Sequence, residues 1–313
     1  MITRRFQNLA LATLLATLLL ILVGGLVRVS GAGLGCPDWP RCWGCWLPPV
    51  DTASIDPDKY DISQYNPAKM WIEYVNRLVG VVIGLLILST FLSSIRYRKT
   101  RPSLFLASMA AFVLVVFQGW LGGEVVKSGL KPGIITLHMA LAMALLTLLL
   151  WIVHCARGAP PAVAGSEKLR PAAALLFGLV CLQVILGTQV RETIDPFIKL
   201  EGSEEAQPRA QWLSHAGKKD HLHRLFSWAV AAAALLLVAK GRKLPAGASP
   251  RMLAHVVLAL VATQILLGVT LAYLALPPPS QVLHLANSAL LVCAVVLLWL
   301  HCQPGRPDES CVD

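Results

Sequence analysis

HLHRLFSW (221–228) and SQVLHLANSALLV (280–292) carry His223 and His284 at the head of apolar runs, 61 residues apart. Nearly the same text occurs earlier in EYVNRLVG (73–80) and GIITLHMALAMALL (133–146), where Asn76 and His138 stand 62 residues apart. Gln118 and Gly122 precede His138 by 20 and 16 residues, and Gln264 and Gly268 precede His284 by the same intervals. Further upstream, VGGLVRVS (23–30) matches LGTQVRET (186–193), so that Arg28 and Arg191 each close the first helix of a half. The chain is an internal duplication. Its second half carries a histidine pair, and its first half carries one histidine with Asn76 in the other position.

Composition decides what kind of duplication this is. Of the 313 residues, 56% are apolar and 14% charged, and the mean hydropathy is +0.64, which indicates a polytopic membrane protein. A spanning helix needs about 20 apolar residues. Eight stretches qualify: 8–28, 70–95, 103–122, 133–155, 171–190, 221–239, 252–276 and 281–301. The first follows Arg4 and Arg5 but is too long for a signal-peptide core, and its counterpart at 171–190 is internal, so it is expected to remain as a helix. The fold class is therefore an all-α membrane protein with eight transmembrane helices in two four-helix units. The expected division is an N-terminal bundle at 1–156, a Pro-, Ala- and Gly-containing cytoplasmic linker at 157–170, and a C-terminal bundle at 171–313.

Charge sets the orientation. With loops assigned alternately, the side bearing the N-terminus holds 14 Lys or Arg against 4 Asp or Glu, and the other side 13 against 13. Both termini are thus expected in the cytoplasm, in a multi-pass protein of the cell membrane. The net charge of +10 and pI of about 9.4 follow from topology. They call for no nucleic-acid partner, and no basic patch interleaved with aromatic residues is present. On this topology Asn76, His138, His223 and His284 lie within the first one to two turns of helices that start at the outer face. His154, His255 and His301 fall near cytoplasmic ends and His215 in an outer loop, and these four are read as structural or solvated.

Ionisable groups at membrane depth are expensive and tend to be functional. Imidazoles from two facing bundle helices can hold one haem iron axially and leave no open position, so His223 and His284 are read as ligands of a six-coordinate b-type haem. Zinc would need four ligands, and no further Cys or His lies at that depth. In the first half His138 faces Asn76, a poor ligand for iron, which leaves a haem there five-coordinate or weakly held. Glu73, three residues before Asn76, shares its helical face. An open iron position beside a carboxylate suits oxidation, whereas a closed bis-histidine site suits electron transfer. Asp220 stands in the same relation to His223, so an acid at this position is not diagnostic by itself. Arg77 and Arg224, next to Asn76 and His223, are candidate partners of haem propionates or snorkelling residues. Glu124, which aligns with Thr270, is placed in a loop.

The first outer loop is about 16 residues longer than its counterpart and contains GAGLGCPDWPRCWGC (31–45). Facing an oxidising compartment, it can form a disulfide. Cys36 and Cys42 are one pairing, Cys42 and Cys45 a CxxC alternative with redox potential, and one of the three thiols is left over. No histidine follows Cys45, so covalent c-type haem attachment is excluded, and GAGLG lacks the strand-to-helix context of a nucleotide loop. Cys155, Cys181, Cys293, Cys302 and Cys311 are expected to be reduced.

GGLVRVSGAGLGCPDWPRC, WIEYVNRLVG, QGWLGG, LHMALAMA, HLHRLFSW and VLHLANSALL together make the chain resemble, over nearly its whole length, the haem A synthase family of cytochrome oxidase assembly. The resemblance implies two pseudosymmetric bundles, a b haem on His223 and His284, and haem O bound as substrate with His138 and Asn76. It implies oxidation of a methyl group of haem O to formyl, with Glu73 as the catalytic carboxylate and Cys36 and Cys42 as the loop pair. Haem O synthase and oxidase assembly factors are the implied partners besides membrane lipid, and self-association into a homo-oligomer is open. The chain departs from the family at Asn76, where a histidine is usual, and by adding Cys45. Two rival readings are a non-catalytic haem-binding or haem-delivery protein and a b-type electron carrier working with quinone.

Overall fold

The structure, a computed structural model, describes residues 2–158, 160–161, 163–201 and 204–302. Its long helices are α1 (Arg4–Val29), α2 (Pro67–Ser94), α3 (Pro102–Lys127), α4 (Pro132–Arg157), α5 (Arg170–Lys199), α7 (Lys218–Gly241), α8 (Ser249–Tyr273) and α9 (Pro278–His301), and α6 (Arg209–Trp212) is a single turn in an outer loop. All eight long helices are long and apolar enough to cross a membrane. In the first half α1 packs on α2 and α4, and α3 on α2 and α4; in the second, α5 packs on α7 and α9, and α8 on α7 and α9. The halves meet where α9 lies on α1 and α4, and α4 on α5. The innermost side chains, including Leu146, Leu149, Leu176, Leu237, Leu291 and Leu298, belong to one core that continues across this seam. Large apolar residues such as Leu19, Val81, Val113 and Leu266 are exposed at mid-helix, as expected of surfaces that face lipid rather than water.

Several helix ends depart from expectation. Asn66 caps α2 by accepting a bond from the Lys69 N–H (3.0 Å), and Pro67 takes the first helical position. The helix therefore starts three residues early and places Asn76 in its third turn. Helix α3 continues to Lys127, so Glu124 is helical rather than in a loop, and it pairs with Lys127 at 3.1 Å. Helix α5 runs nine residues beyond the expected end, past an internal Pro196, and carries Arg191, Glu192 and Asp195 on an ordered helix. Helix α8 ends at Tyr273, and Ala275 and Leu276 turn the chain with φ of 56° and 55°.

The long first outer loop is a small folded unit. Cys36 and Cys42 are joined by a disulfide with Cα atoms 4.6 Å apart, and Cys45 is a free thiol. Cys42 and Cys45 face each other across an antiparallel bridge whose turn uses positive φ at Trp43 and Gly44. Asp38 accepts from the Trp43 and Gly44 N–H groups at 2.6 and 3.0 Å, and the Trp43 indole donates to the Gly35 carbonyl at 2.8 Å. Cys181 and Cys293, in the middle of α5 and α9, and Cys302, just past α9, are free, but Cys155 near the end of α4 is disulfide-bonded, contrary to expectation. The expectation rested on the reducing compartment, which says nothing about how close two sulfurs are held. Cys311 lies outside the described residues.

Candidate functional site

The second half encloses a cavity of about 490 Å³ whose wall includes His223, His284, Arg28, Arg191 and Arg224. His223 on α7 and His284 on α9 approach from opposite sides, with ring centroids 6.5 Å apart and planes at 63°. That gap is too wide for direct contact and leaves room for one metal atom about 2 Å from a nitrogen of each ring. Both Nδ1 atoms are buried with no hydrogen-bond partner, an arrangement that is costly in a purely structural histidine. Among the described residues no group of three or more His, Cys, Asp or Glu side chains could hold an ion unaided. A porphyrin brings four nitrogens of its own, so two axial histidines suffice for it. The donor set fits haem.

Each histidine is held in the same way by the neighbouring helix. Gln118 on α3 donates to the His138 carbonyl (3.0 Å), Gln183 on α5 to the His223 carbonyl (3.0 Å), and Gln264 on α8 to the His284 carbonyl (3.1 Å). One turn further along those helices a glycine admits the ring: a Cβ on Gly122, Gly187 or Gly268 would lie 3.7, 3.1 or 3.7 Å from the imidazole Cε1 of His138, His223 or His284. The Gln183 and Gly187 copy escaped the sequence comparison, although the same Gln-x-x-x-Gly spacing was there to be read. By the Arg28 and Arg191 register the fourth copy is Leu20 and Gly24, and nothing lies within 4 Å of a Cβ on Gly24. The quarter of the repeat that has Asn76 in place of histidine has thus also lost the glutamine that would hold it.

These glycines make a direct prediction. Gly187→Ala is expected to destabilise the protein by about 1–3 kcal/mol, because the His223 ring must shift by a few tenths of an ångström. Gly178→Ala, on the same helix and facing open space, is expected to be neutral or slightly stabilising. Thermal unfolding of the two variants in detergent checks the pair, and equal midpoints would show that the ring has room.

In the first half His138 Nδ1 and Asn76 Oδ1 are both buried without a partner. The cysteine loop roofs this region. Gly35 lies so close to α2 that a Cβ there would be 2.4 Å from the Lys69 carbonyl oxygen, and Trp39 lies on Gly123, the residue after Gly122. Glu73 is 3% exposed. Its Oε2 accepts from the Cys36 N–H (2.8 Å) and its Oε1 binds Arg77. Arg77 also donates to the carbonyls of Cys36 (3.2 Å), Asp38 (2.8 Å) and Arg41 (2.8 Å). All five of its N–H groups are engaged by Glu73 and the loop. In the second half Arg224 binds Asp220 at 2.7 Å and its side chain stays 43% exposed, so the two arginines, alike in sequence, differ in availability.

Four other histidines have local contacts. His215 lies against Phe197 with centroids 4.6 Å apart and planes tilted at 46°, His255 Nδ1 lies 2.8 Å from the Arg251 carbonyl, His301 meets Ser249 at 3.1 Å, and the His154 and His301 rings are 5.7 Å apart. Between the halves, Asp195 binds Arg28 (2.7 Å) and Arg191 (3.1 Å), and Arg191 donates to the Arg28 carbonyl (3.1 Å) and to Gln281. The N-terminal half thereby contributes Arg28 to the wall of the C-terminal cavity.

A family model described as cytochrome oxidase assembly protein matches residues 7–296. Proteins named heme A synthase from Shewanella oneidensis and Nitrosospira multiformis are each 27% identical, over 91% and 90% of this chain and 93% and 88% of their own lengths. A heme A synthase of Caulobacter vibrioides is also 27% identical, over 90% of the chain and 91% of the relative.

Proposed function

The chain belongs to the cytochrome oxidase assembly protein family, and from that premise we propose that it is a membrane oxidoreductase that converts haem O to haem A by oxidising a porphyrin methyl group to formyl. The observation that carries the proposal is the pair of buried, unpartnered imidazoles facing each other across a cavity in the C-terminal half. On this reading residues 171–313 form a bundle that holds a b-type haem on His223 and His284, residues 1–156 form a bundle that takes haem O beside His138 and Asn76, and 157–170 link them. A bis-histidine haem supplies one-electron transfer without an open coordination position. Arg28, Arg191 and Arg224 on the cavity wall offer positive charge to carboxylates of a bound ligand. Arg77, whose donors are taken, serves instead to fix the loop.

In the first bundle Glu73 is the carboxylate assigned to the oxidation. Its two oxygens are held by the Cys36 amide and by Arg77, so the disulfide-bearing loop sets where it points. Trp39 and the loop roof the region over Gly122 and Gly123, which limits water there. The membrane is taken to be the cell membrane with both termini cytoplasmic, and haem O synthase and oxidase assembly factors as the chain's partners. The rival reading, a haem-binding or delivery protein without catalysis, draws on Asn76 and Leu20, which leave the first site without a second histidine or its support.

Expression in a host that makes haem O but no haem A separates the two. Haem extraction with mass spectrometry is expected to recover haem A; recovery of haem B and unchanged haem O alone, from haem-loaded protein with reductant partners present, defeats the synthase reading. Asn76→His is expected to convert any haem of the first bundle toward low spin, and an unchanged electronic spectrum would mean that Asn76 does not face the iron.

A further inference from the structure

We propose that Glu192, Thr136 and Thr188 form a proton relay between the seam of the two halves and the C-terminal cavity. Glu192 on α5 is 8% exposed, just past the apolar stretch of a helix long and apolar enough to cross a membrane, and a carboxyl buried there without a cation is costly and rarely idle. Its hydrogen-bond partner is no cation: the Thr136 hydroxyl on α4 donates to Oε1 at 2.5 Å, a bond whose direction reverses when the carboxyl carries the proton. The nearby charges are bound to one another, Asp195 with Arg28 of α1 and Arg191 of α5. On the elements packed against α5, the titratable groups toward this end are His138 on α4, Lys218, Lys219, Asp220, His221, His223 and Arg224 on α7, His284 on α9, and His215 in the turn before α7; His154 and Arg157 on α4, Lys240 on α7 and His301 on α9 lie at the opposite ends of their helices.

The hydrogen bonds around Glu192 can be counted. Thr136 Oγ1 is 3.2 Å from Thr188 Oγ1, and Thr188 Oγ1 is 2.7 Å from the Ile185 carbonyl. Gln189 donates to Thr136 at 3.3 Å and fills one of its acceptor sites. Three oxygen-to-oxygen links, Glu192 to Thr136, Thr136 to Thr188, and Thr188 to Ile185, therefore need three protons. The two hydroxyls bring two. With Glu192 ionised one link is empty, or Thr188 must turn away from Ile185. With Glu192 protonated, every link is filled in one direction, from the carboxyl to the Ile185 carbonyl.

Thr188 also lines the C-terminal cavity, which gives the chain an outlet. When the Thr188 hydroxyl rotates from Ile185 toward a water or carboxylate in the cavity, its proton passes to that acceptor. In the same concerted shift the Thr136 proton moves to Thr188 and the Glu192 proton to Thr136, so that no alkoxide forms and a carboxylate remains at position 192. One proton has moved from the carboxyl to the cavity acceptor, with no net electron transfer. Run in reverse, the same chain takes a proton from the cavity. The oxidation proposed above would be its source of protons, and the relay rests on that reading only in this respect.

The test is infrared spectroscopy on the full-length protein in detergent, without reductant or turnover. A protonated-carboxyl stretch present in the wild type is expected to vanish in Glu192→Gln. In Thr136→Val it is expected to move to higher frequency, as the carboxyl loses its acceptor. Thr188→Val is expected to keep the band but slow its exchange in heavy water by about tenfold, the rate equivalent of one ordinary hydrogen bond. Identical spectra for wild type and Glu192→Gln, or wild-type exchange in Thr188→Val, overturn the relay. Should Glu192→Gln fail to fold, Thr188→Val, which removes one hydroxyl from a cavity wall, decides alone. Failure to form haem A in the host experiment leaves these spectra unaltered, so the two proposals fall separately.

Discussion

His284→Ala and His223→Ala are each expected to abolish the low-spin b-type spectrum of the protein while leaving the eight-helix fold in place. Both imidazoles stand on the wall of one cavity, 6.5 Å apart, and neither has a hydrogen-bond partner at Nδ1 whose loss would matter to the fold. Helix α9 is anchored below His284 by Leu291, Val292, Val295 and Leu298, so alanine at its outer end removes a ligand and little packing. Loss of an outer-shell partner weakens a metal site by about 10–100-fold, and loss of one of two axial ligands is expected to exceed that. The haem content of the purified variants, measured against protein, and their reduced-minus-oxidised spectra report the result. Imidazole added to either variant is expected to restore part of the signal by entering the vacated space. A wild-type spectrum in both variants would remove these residues from the ligand set.

How far the fold and the site could be read from the residues varied with the kind of information needed. Spanning helices are dictated by local composition, and all eight were legible because twenty apolar residues in lipid have no other way to satisfy their backbone. Their ends were less so. Pro67 after Asn66 was a readable start signal for α2, but the continuation of α5 past residue 190 depends on Asp195 pairing with both Arg191 of its own helix and Arg28 of α1, the latter 167 positions away along the chain. The histidines were visible because they repeat. The glutamines and glycines that hold them were only half seen, since the role of Gly187 appears when His223 lies against it. Arg77 and Arg224 read alike, each following a matched site residue. What separates them is the loop that closes over Arg77 alone. Glu192 passed unnoticed for a similar reason: its partner Thr136 is on another helix of the other half.

Arg77→Ala is expected to cost about 3–5 kcal/mol of stability, the range for breaking a buried ion pair from one side. The Arg77 and Glu73 side chains are 14% and 4% exposed, so removing the guanidinium strands a carboxylate in the protein interior and leaves the carbonyls of Cys36, Asp38 and Arg41 without their donor. The loop is then held to α2 by the Cys36 amide on Glu73, by Tyr74 donating to the Trp46 carbonyl (2.8 Å), by Met70 packed with Cys36, Cys42 and Trp43, and by Gly35 against Lys69. Its disulfide stays intact, but the loop is expected to open and become a site of proteolysis between residues 31 and 66. Arg77→Lys keeps the charge without the planar fork, and is expected to lie much nearer to alanine than to wild type. The double variant Glu73→Gln with Arg77→Ala separates charge from geometry. If the stranded carboxylate dominates, the double variant is more stable than Arg77→Ala alone, and the coupling between the sites is strongly non-additive. If the carbonyl contacts dominate, the two changes add. Thermal unfolding together with limited proteolysis reads both outcomes, and a lysine variant indistinguishable from wild type would mean that Arg77 acts on the loop as a point charge only.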